Sequence, residues 1–118
     1  MKYNYDKFAA LYDYYQIDTF SVMMAEELLD YFKELNSKLS QQYTSVLDLC
    51  CGTGSFCKIF SEAGFKTKGV DFSKEMINKA RKKCPNAEFV QSDVLNYTDS
   101  KTYDIITCLC DSINHNGS

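Results

Sequence analysis

The sequence has little proline and little glycine, one and five in 118 residues, and no stretch rich in either. Without such a stretch, or any repeat or low-complexity tract, there is no linker to divide it, and a single compact domain is expected. An excess of basic charge is also missing. Thirteen Lys and Arg stand against sixteen Asp and Glu, a net charge of −3, so no broad positive field draws in phosphate backbones or an anionic membrane surface. Neither nucleic acid nor membrane is expected as a partner. No apolar run approaches a spanning length, and the opening "MKYNYDKFAALYDYY" lacks the apolar stretch of a signal peptide. A cytoplasmic location is expected. Paired CxxC clusters are absent as well: Cys50, Cys51, Cys57, Cys84, Cys108 and Cys110 are spaced as small hydrophobes of a reduced protein, and no metal site is expected.

What the chain does have is apolar material for one core, with 45% hydrophobic and 14% aromatic residues. From Asp18, a candidate N-cap, the residues Phe20, Met24, Leu28, Phe32, Leu35 and Leu39 recur at helical spacing. Glu26, Glu27, Lys33 and Glu34 then face water. After Tyr43 the pattern becomes strand and helix in alternation. "SVLDLC" runs into a glycine turn, "SFCKIFSEAG" is helical and closes at Gly64, and "KTKGVD" is a second strand. Ser73 caps "SKEMINKARKKC", in which Met76, Ile77, Ala80 and Cys84 form one face. Its basic C-terminal end suits the helix dipole, and Pro85 stops it. "AEFVQSD" and "YDIITCLC" complete the strands. The order predicts an α/β fold of the doubly wound kind, with a mostly parallel sheet.

In such a sheet the turn after the first strand lies where a ligand crevice forms. Gly52 and Gly54 permit close backbone approach, although tight strand-to-helix turns also use glycine for structure alone. Asp71 ends the second strand 19 positions after Gly52, a spacing at which a carboxylate accepts both hydroxyls of an adenosine ribose. Its other reading is a charge at the N-terminus of the helix that Ser73 caps. A dinucleotide is disfavoured on two counts. Asp48, four residues before Gly52, would oppose a pyrophosphate, and the third glycine of the dinucleotide fingerprint is replaced by Cys57. An adenosyl ligand bearing an ammonium and a sulfonium suits an acidic residue there.

These segments resemble the class I S-adenosylmethionine-dependent methyltransferases. "VLDLCCGTGSF" is similar to their glycine-rich first motif, "GVDFSKEMI" to the second, "QSDVLNY" to the third, and "YDIITCLCDSINH" to the fourth strand and its loop. The resemblance implies a Rossmann-like methyltransferase fold, incomplete after the fourth strand, with S-adenosylmethionine as cofactor. It implies that Asp48, Cys50, Gly52 and Gly54 surround the methionine part and that Asp71 binds the ribose hydroxyls. Phe72 and Met76 would lie against the adenine, with Asp93 accepting from the adenine amino group and Val94 offering backbone contact. Asp93 also reads as a strand-ending turn former.

Residues 1–42 then form an N-terminal helical lid segment, in which Phe8, Tyr12 and Tyr14 fold over the cofactor or pack as ordinary half-buried aromatics, and residues 43–118 form a partial cofactor-binding domain. His115, the one histidine, reads as a base facing the methyl group or as an exposed polar residue. The acceptor is expected to be a small molecule. Two other readings stay open: an inactive binding or assembly module of the same fold, and a dinucleotide-binding oxidoreductase domain. A fourth strand at the sheet edge leads to an expectation of homo-oligomers through that edge.

Overall fold

The computed structural model describes residues 18–108, with side chains from residue 21 onward. Phe8, Tyr12, Tyr14, Cys110 and His115 lie outside them. The elements run α1 (Asp18–Lys38), β1 (Ser45–Leu49), α2 (Ser55–Glu62), β2 (Lys66–Asp71), α3 (Lys74–Lys83), β3 (Glu88–Gln91) and β4 (Ile105–Thr107).

All the strands pair in parallel, in the order β3-β2-β1-β4. The chain therefore winds outward from β1 through β2 to β3 and then returns to the other side of β1. That reversal is the switch point at which doubly wound sheets form their ligand crevice. The Rossmann-like α/β expectation holds.

Register and alternation put Val46, Gly69, Phe89 and Ile105 on one face. There Val46 and Ile105 join Ala25 and Leu29 of α1 and Phe56 and Phe60 of α2 in one buried cluster. Phe89 joins Cys51, Cys57, Ile77, Ala80 and Cys84 in a second. The three helices among the described residues thus cover the same face. Leu47, Lys68, Val70 and Ile106 point the other way, where the connection from β3 to β4 crosses a groove lined by Leu47, Leu49, Val94, Tyr97, Tyr103 and Ile106.

Local chemistry explains the element ends. Ser73 Oγ accepts the Met76 N–H at 3.2 Å and starts α3. Gly64, at φ 96°, follows the last turn of α2, and the Phe65 N–H reaches back to the Phe60 carbonyl at 3.1 Å. One expectation needs correction. Leu39 does not belong to the buried stripe of α1: the helix ends at Lys38, and Leu39 is 42% exposed. The stripe is centred on Ala25 and Leu29, flanked by Leu28 and Phe32, because these are the residues that α1 packs against Phe56 and Phe60 of α2. Cys50, Cys51, Cys57 and Cys84 are buried, as small hydrophobes should be, and Cys108 is exposed. Burial first, then the Asp48 charge and Cys84, pushes the Cys57 thiol well up, so it stays protonated.

Strand β4 pairs only with β1 among the described residues, and its Ile106 is 61% exposed. No helix among the described residues is long and apolar enough to cross a membrane.

Candidate functional site

The site starts from the chain reversal after β1. Cys50 (φ 69°), Gly52 (φ 57°) and Gly54 (φ 87°) all take left-handed backbone conformations, which cost a residue with a side chain more than a glycine. Cys50 keeps its conformation because the N–H groups of Cys50 and Cys51 both donate to the Val70 carbonyl, at 2.7 and 3.0 Å. A Cβ on Gly54 would stand 2.8 Å from the Ala80 Cβ, so α3 can pass this close only over glycine. Gly69 does the same from β2, where a Cβ would meet Cys51 and Phe89 at 2.8 Å.

Two buried carboxylates flank this turn. Asp71, 2% exposed, accepts the Gly52 N–H at 3.0 Å on one oxygen and the Ser73 N–H at 3.0 Å on the other. It ties the glycine turn to the start of α3. Burial pushes its carboxyl above the ordinary range, against the pull of the N–H groups of Ser73, Gly52 and Phe72. Asp48, 3% exposed, accepts the Thr107 hydroxyl from β4 at 2.9 Å.

The remaining expected residues fall into three groups. Phe72 and Val94 are half-buried at the same end of the sheet. Asp93 is exposed and folds its own turn, accepting the Leu95 N–H at 3.0 Å and the Asn96 amide at 2.9 Å. The Ser92 N–H bonds the Asp71 carbonyl at 2.9 Å and so anchors that turn beside the buried Asp71 carboxylate. Met76 departs from the others, because its side chain is buried at 3% exposure on the core face of α3. Asp48, Cys50, Gly52, Gly54, Asp71, Phe72, Asp93 and Val94 thus gather at the C-terminal ends of β1, β2 and β3.

Two contributors escaped the sequence reading. Thr107 sits in an apolar strand, and a single hydroxyl there, at the end nearest the turn, was the available signal. Lys83 reads from the sequence as a dipole complement, yet its ammonium donates to Thr53 Oγ1 at 3.0 Å and Ser55 Oγ at 2.8 Å, bracing the turn from the helix side.

Against known families, residues 46–117 match the model of a methyltransferase domain. The chain belongs to this methyltransferase family. Among its curated relatives, the ubiquinone/menaquinone biosynthesis C-methyltransferase UbiE of Campylobacter jejuni is 34% identical over 70 residues, which cover 52% of this chain and 30% of UbiE. A solved structure of the plantazolicin methyltransferase BpumL in complex with SAH is 29% identical, with a TM-score of 0.74 over 93% of this chain and 43% of BpumL. Streptomyces venezuelae DesVI, at 24% identity and a TM-score of 0.72 over 89% of this chain and 44% of DesVI, shares the fold. This methyltransferase-domain chain spans 30% and 45% of the length of the first curated relatives it matches, less than half of either.

Proposed function

We propose that the chain is the S-adenosylmethionine-binding portion of a methyltransferase that acts on a small molecule. The observation that carries this reading is Asp71: a buried carboxylate at the end of β2, bonded to the glycine turn and to the start of α3. Two buried carboxylates beside one left-handed turn fit a ligand that brings hydroxyl and ammonium donors. They repel a pyrophosphate, so the dinucleotide reading is the weaker one.

Asp71 would hold the ribose hydroxyls, and Asp48, Cys50, Gly52 and Gly54 the methionine part. Phe72, Asp93 and Val94 would border the adenine, and Met76 would back them from the core. Tyr12 would belong to a lid formed within residues 1–42. When bound, S-adenosylmethionine supplies an electrophilic methyl group, so the protein's task is alignment and exclusion of water. His115 would serve as a base facing the methyl group. Turnover needs an acceptor pocket in addition to the cofactor site. The BpumL complex with SAH, matched over 93% of this chain, supports the cofactor assignment.

Among the described residues β4 pairs only with β1, and the edge this leaves supports association between copies of the chain; the setting would be cytoplasmic. Calorimetric titration with S-adenosylhomocysteine, with NADH as control and light scattering on the same sample, tests all of this. Saturable binding of the first ligand alone is expected, by a species larger than a monomer. Binding of NADH instead would overturn the cofactor, and a strict monomer would overturn the association.

The same titration has a pH signature. Asp71 is pushed above 3.8 in the free protein, and ribose hydroxyls bond best to its ionised form. Binding therefore takes up no proton at neutral pH and must displace one at lower pH. Affinity is expected to be flat near neutrality and to fall as pH drops, beginning above the ordinary aspartate range. Titrations between pH 8 and pH 4.5, at conditions where circular dichroism shows an intact fold, would check it; constant affinity throughout would remove Asp71 from the site.

A further inference from the structure

The connection from β3 to β4 carries no helix or strand of its own between residues 92 and 104, yet it begins with the turn assigned above to the adenine. Such a segment needs something to fix it. Asp99 supplies that. Its Oδ2 accepts the Tyr97 hydroxyl at 2.6 Å, the Tyr103 hydroxyl at 2.8 Å and the Lys68 ammonium at 2.9 Å, while Oδ1 accepts the Lys101 N–H at 2.9 Å. Lys68 rises from the middle of β2 on the sheet face away from the helices, where it also reaches Glu88 at 3.3 Å and lies 5.4 Å from the Tyr97 ring centre. The Lys68 and Asp99 side chains are each 11% exposed. This ion pair is shielded, unlike the exposed Lys38–Glu34 pair on α1.

The bonds run on toward the ligand side. Tyr97 follows Asn96, whose amide and N–H close the turn on Asp93. Val94 lines the same groove as Tyr97, Asp99 and Tyr103. The position of Asp93 is therefore set from one end by the Ser92 N–H on the Asp71 carbonyl, and from the other by the Asp99 cluster.

We propose that Asp99 is a positioning residue for base recognition: by pinning the 92–104 connection to Lys68 of β2, it holds Asp93 where it can read the amino group of the cofactor's adenine. This rests on the adenosyl-ligand reading above and adds to it a specificity determinant outside the site. The cluster is also built to stay intact. Hydrogen bonds from Tyr97 first, then from the Lys101 N–H, Lys68 and Tyr103, hold Asp99 well below its ordinary range. Burial, then the bond to Asp99, pushes Tyr103 up to about 12. Burial pulls Lys68 down, but its bonds to Tyr97, Asp99 and Glu88 outweigh this and leave it raised.

The test compares S-adenosylhomocysteine with S-inosylhomocysteine, in which an oxo group replaces the amino group, by calorimetry on the 118-residue chain. The unaltered protein is expected to prefer the adenosyl ligand by about tenfold or more, the contribution of one hydrogen bond to a charged acceptor. In Asp99→Asn and in Tyr97→Phe that preference should collapse toward unity while affinity for the inosyl ligand stays unchanged. Tyr97→Phe keeps the ion pair and removes one hydroxyl, so it remains informative if the other variant does not fold. Equal weakening of both ligands, or an unchanged preference, would overturn the proposal. So would an unaltered protein that binds both ligands alike. Failure of that protein to bind either one would instead strike the cofactor reading itself.

Discussion

Asp71→Ala is expected to lower affinity for S-adenosylhomocysteine by about 100-fold or more. Each ribose hydroxyl bonded to a carboxylate contributes about 1.5–3 kcal/mol, and two of them are lost together. The same change leaves the N–H groups of Gly52 and Ser73 without their acceptor, so the glycine turn and the start of α3 lose their common tie. Burying an ionised carboxylate is itself unfavourable, as its raised pKa shows, so the net loss of fold stability should be smaller than the loss of binding. Asp71→Asn separates the two effects, because the amide oxygen can still accept one N–H while the charge is gone. Calorimetry paired with a thermal melt of each variant decides the matter. Unchanged affinity in a folded Asp71→Ala protein would exclude this residue from ligand binding.

Phe60→Ala is the second large effect, and it acts on the fold. Phe60 is fully buried, stacked on Phe56 at 4.9 Å between ring centres and edge-on to Phe65 at 5.1 Å. It stands where α1, α2 and the sheet meet, beside Ala25, Leu29, Val46 and Ile105. Truncating such a ring costs about 3–5 kcal/mol, from lost transfer energy and the cavity left behind. Domains of this size have only about 5–15 kcal/mol in total. Urea unfolding followed by circular dichroism should show a large fall in the midpoint with a similar slope. A midpoint within a tenth of the original would mean that the three-ring stack is not the centre of the core.

Much of this could be read before the structure, and the parts that could share a cause. Strand β2 coincides with the stretch "KTKGVD", and Ser73 caps α3 as its position suggested, because both depend on residues a few positions apart. Asp71 and Gly52 were connected through a spacing, and the structure joins them directly at 3.0 Å. What stayed hidden depends on distant pairings. Lys68 in a strand pattern reads as solvent-facing, and its partner Asp99 lies 31 residues away. Among the described residues, β4 takes only Ile105–Thr107 of the segment "YDIITCLC", because Tyr103 is drawn to Asp99 and Asp104 turns to bond the N–H groups of Thr44 and Ser45. The stripe on α1 is centred on Ala25 and Leu29 because the neighbouring helix, not the period alone, selects which apolar residues are covered.

The sheet order also fixes a sequence of events in time. Strand β1 meets β2 across short loops, Ser45 opposite Lys66, whereas it meets β4 only across the interval from Val46 to Ile105. Closing the longer loop costs about 1 kcal/mol more chain entropy, and three residues of pairing give little back. Docking of β4 should therefore come late in folding and be the first pairing to open, visible in native-state hydrogen exchange as weaker protection at Thr107 than at Val70. Asp48 takes a hydrogen bond from that strand. The Asp48 end of the crevice should thus be finished last, and a ligand that engages Asp48 would act as a clasp on the youngest joint of the fold.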